Sequence, residues 1–241
     1  YCIFEIIKKE FGYNFKKFKY FAGHSLGEYT ALACVGSINF EDAIKILQKR
    51  GKFMQEAVPS GEGAMLAVLG MASKELDKIL EENNKKYECF IANDNSNLQV
   101  VVSGLKKDIN LLSDDLNDKK IKNLKLNVSA PFHCKYMKTA SEKMISYIND
   151  LKMNELEKPI ISNVTANETI STKEIKSLLI SQIEKKVRWS ESVEYMIIKG
   201  VKNFVEIGPG KVLSGLIKRI NKNVKVHSIN SEEDIKFLIN D

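Results

Sequence analysis

Gly23-His24-Ser25-Leu26-Gly27 lies between a short apolar run, Tyr20-Phe21-Ala22, and a helix-forming run, Glu28 to Cys34. The order strand, tight turn and helix, with a serine at the turn, is typical of a nucleophile elbow. Glycines on both sides of the serine let strand and helix pack closely around a strained turn, which exposes the hydroxyl. Free N–H groups at the start of the helix favour negative charge there. We therefore predict a nucleophilic Ser25; the alternative is a glycine-rich turn whose serine has no chemical role.

The composition indicates a soluble globular protein. The chain has 241 residues, of which 44% are hydrophobic and 28% charged, enough for one large domain or a domain with an insertion. No apolar run approaches the length of a membrane span. The four cysteines are scattered without a CxxC pair, so we expect no metal site and a reducing compartment.

The basic residues are unevenly divided between lysine and arginine. Of 37 basic residues only Arg50, Arg188 and Arg219 are arginines. Because arginine is rare among the basic residues here, each arginine is a candidate for a function that lysine cannot perform, such as bidentate binding of a carboxylate. The net charge of +6 favours an acidic partner. A solvated lysine surface without a function explains the same charge.

The middle of the chain reads as a separate unit. Apolar or alternating runs at 64–70, 89–93, 99–104 and 123–128 predict four strands, and two helical patterns lie between the first and second and between the third and fourth. The order βαββαβ is that of a ferredoxin-like domain. We place this subdomain at residues 60–129, inserted into a larger domain formed by residues 1–59 and 130–241. In the larger domain strands alternate with helices, which predicts an α/β fold with a mainly parallel sheet sandwiched by helices, a hydrolase-like core.

Three histidines could serve as the base that a serine nucleophile needs. His24 adjoins Ser25, and a neighbour in a tight turn normally points away. His227 lies within a predicted strand near the C-terminus. His133 lies in a loop after a strand and behind Pro131, where the active-site residues of open α/β sheets are found. His133 is therefore the best candidate base, with a purely structural loop histidine as the alternative.

Several segments together resemble one family, the malonyl-CoA:acyl carrier protein transacylases and the related acyltransferase domains of fatty acid and polyketide synthases. The segments occur in the family's order with closely similar spacing, although each alone has little specificity. The family's fold also carries a ferredoxin-like insertion. The segments are Gly23 to Tyr29, Arg50 to Ala57, Ala130 to His133, Val187 to Val193 and Glu206 to Leu213.

The resemblance implies a mechanism. Ser25 attacks the malonyl thioester while His133 accepts its proton, and the resulting malonyl-serine passes its acyl group to a thiol in a ping-pong cycle. The N–H of Leu26 contributes to the oxyanion hole. In this family a main-chain carbonyl orients the histidine, and the matching residue here is Gln182. The substrates are malonyl-CoA and phosphopantetheinylated acyl carrier protein, and no bound cofactor is implied.

The resemblance also implies a substrate pocket. Arg50 matches the family arginine that binds the free carboxylate of malonate, and a surface ion pair is the alternative for that residue. Phe132 resembles the large residue of malonyl-selecting members, which narrows the pocket. Met54 and Asn163 are further possible pocket residues. An acidic carrier protein is the expected partner of a monomer, with neither nucleic acid nor membrane involved.

One expectation concerns the start of the chain. The family begins with a strand and a Gly-Gln-Gly-Ser-Gln loop that supplies a second oxyanion N–H, and no matching segment precedes the helix at Cys2. We infer that this sequence is incomplete. An enzyme of this kind belongs to dissociated (type II) fatty acid synthesis in a bacterial cytoplasm or a plastid-like organelle, and the lysine-rich residue usage favours the organelle.

Two other functions stay open. An α/β-hydrolase, acting as an esterase or thioesterase, also uses Gly-His-Ser-Leu-Gly, but there the acidic residue precedes a histidine near the C-terminus. A non-catalytic domain that binds an acidic carrier protein through its lysines is the second alternative.

Overall fold

The computed structural model describes residues 1–128 and 130–240, so residues 129 and 241, where two of the predicted domain boundaries fall, lie outside the described residues. Ten α-helices occur in the described part of the chain: α1 (Cys2–Lys9), α2 (Leu26–Cys34), α3 (Phe40–Gln55), α4 (Ser73–Glu82), α5 (Lys106–Asp118), α6 (Lys138–Asn149), α7 (Thr172–Gln182), α8 (Trp189–Ile198), α9 (Val212–Ile220) and α10 (Glu232–Asn240). The described strands are β1 (Phe21–Ala22), β2 (Gly63–Leu69), β3 (Cys89–Ser96), β4 (Gln99–Leu105), β5 (Asn123–Lys125), β6 (Ile160–Ile161), β7 (Glu168–Thr169), β8 (Asn203–Ile207) and β9 (Lys225–Ile229).

The strands β2 to β5 form one antiparallel sheet in the order β3-β4-β2-β5. Helices α4 and α5 cover one face, where Leu66, Val102 and Leu112 belong to a common buried cluster. Two helices on a four-stranded sheet with this strand order make the ferredoxin-like arrangement that the βαββαβ pattern predicts. The opposite face of the sheet carries Met65, Ala67 and Val101 toward the rest of the molecule.

The larger α/β part has shorter strands than the sequence suggests. β1 pairs with β6 in parallel, β6 pairs with β7 antiparallel, and β8 pairs with β9 in parallel as a separate sheet. The apolar run at 159–164 therefore contributes only two paired residues. A cavity of about 620 Å³ is lined by residues of both sheets, among them Phe21 and Phe204.

Three buried clusters hold this part together, and one of them joins α1 and α10 to β9. Helices α2, α3, α6 and α7 share a core that includes Leu32, Ile46 and Met144. Asn39 caps α3, because its side-chain oxygen accepts a hydrogen bond from the N–H of Asp42 at 2.8 Å. A second cluster joins α8 and α9 to the short strands. The first core fixes the start of α2, and with it the turn at Ser25.

No helix of the described residues combines the length and apolar character needed to cross a bilayer.

Candidate active site

Ser25 lies at the sharp turn between β1 and α2. Its backbone has φ 53° and ψ −102°, a strained conformation for a residue other than glycine. Asn163 stabilises the turn from the far side, because its Oδ1 accepts from the N–H of Ser25 at 2.7 Å and its Nδ2 donates to the carbonyl of Gly23 at 2.8 Å. The pocket role that the resemblance implied for Asn163 stays a prediction, and its side chain binds the backbone of Ser25 and of Gly23.

Close packing at the turn depends on Gly23. A Cβ at this position would lie 2.0 Å from the carbonyl carbon of Gly27, which is backbone and cannot rotate away. We expect Gly23→Ala to lower the free energy of unfolding by about 3 kcal/mol or more, the upper end of the usual cost of overpacking. Urea denaturation would measure the loss. Gly27→Ala is the matched control, since its Cβ would meet no atom within 4 Å; equal losses in the two variants would contradict the packing argument.

The start of α2 leaves one N–H group available. The N–H of Ser25 donates to Asn163, that of Gly27 to the carbonyl of His24, and that of Glu28 to the carbonyl of Ser25. Among the N–H groups of residues 25–28, all within the described part of the chain, only that of Leu26 has no acceptor. This N–H, next to the serine at a helix N-terminus, suits the stabilisation of an oxyanion.

His133 contacts the serine hydroxyl across 108 residues of sequence. The distance from Ser25 Oγ to His133 Nε2 is 2.8 Å, and that from His133 Nδ1 to the carbonyl oxygen of Gln182 is also 2.8 Å. Because a carbonyl can only accept, Nδ1 carries the proton and Nε2 is left to accept the proton of the serine. Burial, and then the positive charge of Arg50, lower the pKa of His133 to about 3. The imidazole is therefore neutral near pH 7, as a general base must be.

Arg50 places a buried guanidinium beside the same hydroxyl. Its Nη2 donates to Ser25 Oγ at 2.9 Å and to Gln182 Oε1 at 3.0 Å. The residue is only 6% exposed, and its Nε has no hydrogen-bond partner. A buried N–H that has no acceptor is costly, and a bound anion can supply that acceptor. The arrangement therefore suits a substrate that brings a carboxylate to the nucleophile.

Glu28 is the residue of this site to which the sequence analysis gave no role. It lies on α2 and is 1% exposed, and its Oε2 accepts from Gln182 Nε2 at 2.7 Å and from the N–H of Asn163 at 3.2 Å. The Gln182 amide also donates to the carbonyl of Ser25 at 3.1 Å. One signal was present in the sequence: Glu28 is the charged residue of an otherwise small and apolar helical run.

The other predicted residues surround this centre. Met54 is buried in the helical core, and a pocket role for it remains a prediction. Phe132 is half-buried and packs against both the helical core and the underside of the four-stranded sheet. His24 pairs with Asn95 of β3, with 2.9 Å between Nε2 and Oδ1, in keeping with a structural role.

The two remaining arginines contact groups outside this centre. Arg188 binds the carboxylate of Glu191 and donates to the carbonyls of Val164 and Thr165, and so braces the segment that carries Asn163. Arg219 donates to Gln99 at 2.7 Å. Within the described ranges, no three His, Cys, Asp or Glu side chains are grouped so that they could hold a metal ion.

Comparison with known proteins places this chain among acyl-transferring enzymes. The profile of the acyl transferase domain family matches residues 13–234. A malonyl CoA-acyl carrier protein transacylase of Bacillus subtilis is 43% identical over 223 residues, which cover 90% of this chain and 69% of that protein. An acyl-carrier-protein S-malonyltransferase of Bartonella henselae superposes with a TM-score of 0.95 at 36% identity, over 99% of this chain and 76% of that one.

A further solved structure includes a partner. It contains a malonyl-transacylase in complex with a type II polyketide synthase acyl carrier protein. The transacylase superposes on this chain with a TM-score of 0.93 at 35% identity, and the match covers 99% of this chain and 77% of that one.

Proposed function

The chain belongs to the acyl transferase domain family, and from that premise we propose that it moves a malonyl group from coenzyme A to the phosphopantetheine thiol of an acyl carrier protein. The observation that carries the proposal is the contact of one hydroxyl with two buried groups, His133 Nε2 at 2.8 Å and Arg50 Nη2 at 2.9 Å. The first is a neutral base for the attack, and the second is a binding group for the free carboxylate of the malonyl unit.

The proposed cycle has two half-reactions. Ser25 Oγ forms a bond to the thioester carbonyl while its proton passes to His133 Nε2, and the Leu26 N–H stabilises the oxyanion. Collapse releases the CoA thiol, which takes the proton, and leaves malonyl-Ser25. In the second half-reaction His133 removes the proton of the carrier thiol, the thiolate attacks the ester, and Ser25 recovers its proton.

The contact of His133 with a carbonyl argues against the two other functions. In an α/β-hydrolase a carboxylate orients a histidine close to the C-terminus, whereas here the carbonyl of Gln182 lies 2.8 Å from Nδ1 and a hundred residues follow the histidine. A non-catalytic carrier-binding domain has no need of a buried neutral base at a strained serine.

A mass measurement tests the proposal. Incubation with malonyl-CoA without carrier should add one malonyl group to the protein, on the peptide that contains Ser25, and Ser25→Ala should gain none. Addition of phosphopantetheinylated carrier should then move the malonyl group to the carrier. Absence of the adduct would contradict the proposal, and release of free malonate without transfer would support a hydrolase instead.

The biological setting is also proposed. Dissociated fatty acid synthesis uses a separate carrier protein, and we propose an acidic one as the partner of a monomeric enzyme. The relatives reported above are bacterial and give no support to a plastid-like organelle. All four cysteines are free thiols, and a reducing compartment remains part of the proposal.

A further inference from the structure

Glu28 lies directly behind the reacting groups, although the proposed cycle gives it no step. Its two hydrogen-bond donors, Gln182 Nε2 and the N–H of Asn163, belong to residues that also contact Ser25. Gln182 and Asn163 each bridge the carboxyl group of Glu28 to the backbone of Ser25.

Few groups in this buried region can carry charge near neutral pH. Burial keeps the pKa of His133 near 3 and raises that of Tyr29 to about 12, so both are neutral there. Arg50 stays cationic although burial lowers its pKa. In the free protein an ionised Glu28 and Arg50 therefore balance each other, which a poorly solvated region requires.

A malonyl group changes this balance, because its carboxylate stays ionised throughout the neutral range. The side chain of Gln182 connects Glu28 to Arg50, because it accepts from Arg50 Nη2 at 3.0 Å and donates to Glu28 Oε2 at 2.7 Å. One guanidinium would then balance two buried carboxylates, and like charges that share a site raise each other's pKa. We propose, on the basis of the function proposed above, that Glu28 takes up one proton from solvent when the malonyl carboxylate binds Arg50, and releases it when the malonyl group leaves. No bond of the substrate changes in this step: the proton joins a carboxylate oxygen of Glu28, and the net charge of the site stays constant.

The surroundings of Glu28 suit this proton uptake. Burial raises its pKa to about 7, although hydrogen bonds from Gln182 and Asn163 and the charge of Arg50 all act to lower it. A protonated carboxyl can still accept both hydrogen bonds at Oε2, so uptake breaks no contact. The titratable and charged groups around it are Arg50 from α3, Tyr29 from α2 and His133 from the loop before α6, while α7 and the segment after β6 present the neutral amides of Gln182 and Asn163.

The direction of the pH effect follows from linkage. Above the pKa of Glu28 in the free protein, each malonyl group bound requires one proton from solution, so malonyl-CoA binds more weakly as pH rises. One linked proton gives about a tenfold change in half-saturating concentration per pH unit. Acetyl-CoA has the same CoA phosphates but no free carboxylate, so it should show no such change.

Rapid-quench measurement of Ser25 loading between pH 6.5 and about 9 tests the proposal. For the wild type, the half-saturating concentration of malonyl-CoA should rise at least about tenfold relative to that of acetyl-CoA. Glu28→Gln, which cannot take up a proton, should remove the pH dependence, whereas Glu41→Gln on the exposed start of α3 should keep it. A pH indicator should also report proton uptake by the wild type on loading at pH 8, a result that needs no variant.

The outcomes separate the two proposals. Malonyl-Ser25 that forms with a flat wild-type profile and no proton uptake would overturn the role of Glu28 and leave the transferase function standing. A slope that persists in Glu28→Gln would overturn that role as well. Absence of malonyl-Ser25 at every pH would instead remove the proposed function, together with this inference.

Discussion

His133→Ala is expected to slow malonyl loading of Ser25 by about 10²- to 10⁴-fold, the usual contribution of a general base. The imidazole nitrogen that accepts the serine proton lies 2.8 Å from Oγ, and the Gln182 carbonyl fixes its tautomer. Without the ring, the hydroxyl must lose its proton to water. Single-turnover release of CoA at saturating malonyl-CoA would measure the rate.

His227→Ala is the control for this variant, because it removes an imidazole that lies on β9 and not in the loop that carries His133. Loading by His133→Ala within tenfold of the wild-type rate would show that another group is the base. The wild-type rate at saturating substrate should also show no histidine titration near pH 6.5. Its base is already neutral there, since burial has lowered the pKa of His133 to about 3.

Arg50→Ala is expected to change the choice of acyl group more than the rate of chemistry. A guanidinium can bind the malonyl carboxylate with two parallel hydrogen bonds, each contributing about 1.5–3 kcal/mol when charge-assisted. Loss of both should reduce malonyl loading by about 10²- to 10⁴-fold relative to acetyl loading. Competition between malonyl-CoA and acetyl-CoA for Ser25, read by mass, measures this ratio directly.

Two variants make the Arg50 result specific. Arg50→Lys keeps a positive charge but not the planar fork, so its selectivity should fall between those of the wild type and Arg50→Ala. Arg219→Ala removes an arginine that binds Gln99 and should leave the selectivity unchanged. Equal losses of malonyl and acetyl loading in Arg50→Ala would remove Arg50 from the carboxylate site and assign it to support of Ser25 Oγ.

Local sequence patterns predicted the ferredoxin-like arrangement because three of its four strands are largely buried and contain apolar runs. β2 and β4 are seven-residue strands in which five residues are buried, and such apolar runs bounded by turns can be recognised one at a time. The pairs β1 with β6 and β8 with β9 were harder to delimit. Their ends are set by which backbone groups find partners in the sheet, and no local pattern contains that information.

In the candidate site, too, local features were predicted and long-range contacts were not. Ser25 was predicted because the elbow is a local feature. Arg50 was predicted because it matches the family arginine, and the scarcity of arginine in this chain added support. The connections of Glu28 and Asn163 were missed, since each depends on hydrogen bonds to residues more than a hundred positions away. Buried polar groups choose partners by satisfaction of donors and acceptors in three dimensions, which a single sequence does not encode in readable form.

The hydrogen bond between His24 and Asn95 has a consequence for fidelity. The residue next to the nucleophile is hydrogen-bonded to β3 at 2.9 Å. If the four-stranded sheet moved outward to admit a bulkier acyl chain, this hydrogen bond would break or the turn at Ser25 would shift with it. Misplacement of a reacting atom by about 1 Å can cost a hundredfold in rate. An acyl group too large for the cleft would thus displace Ser25, so the rate of acyl transfer depends on how well the acyl group fits.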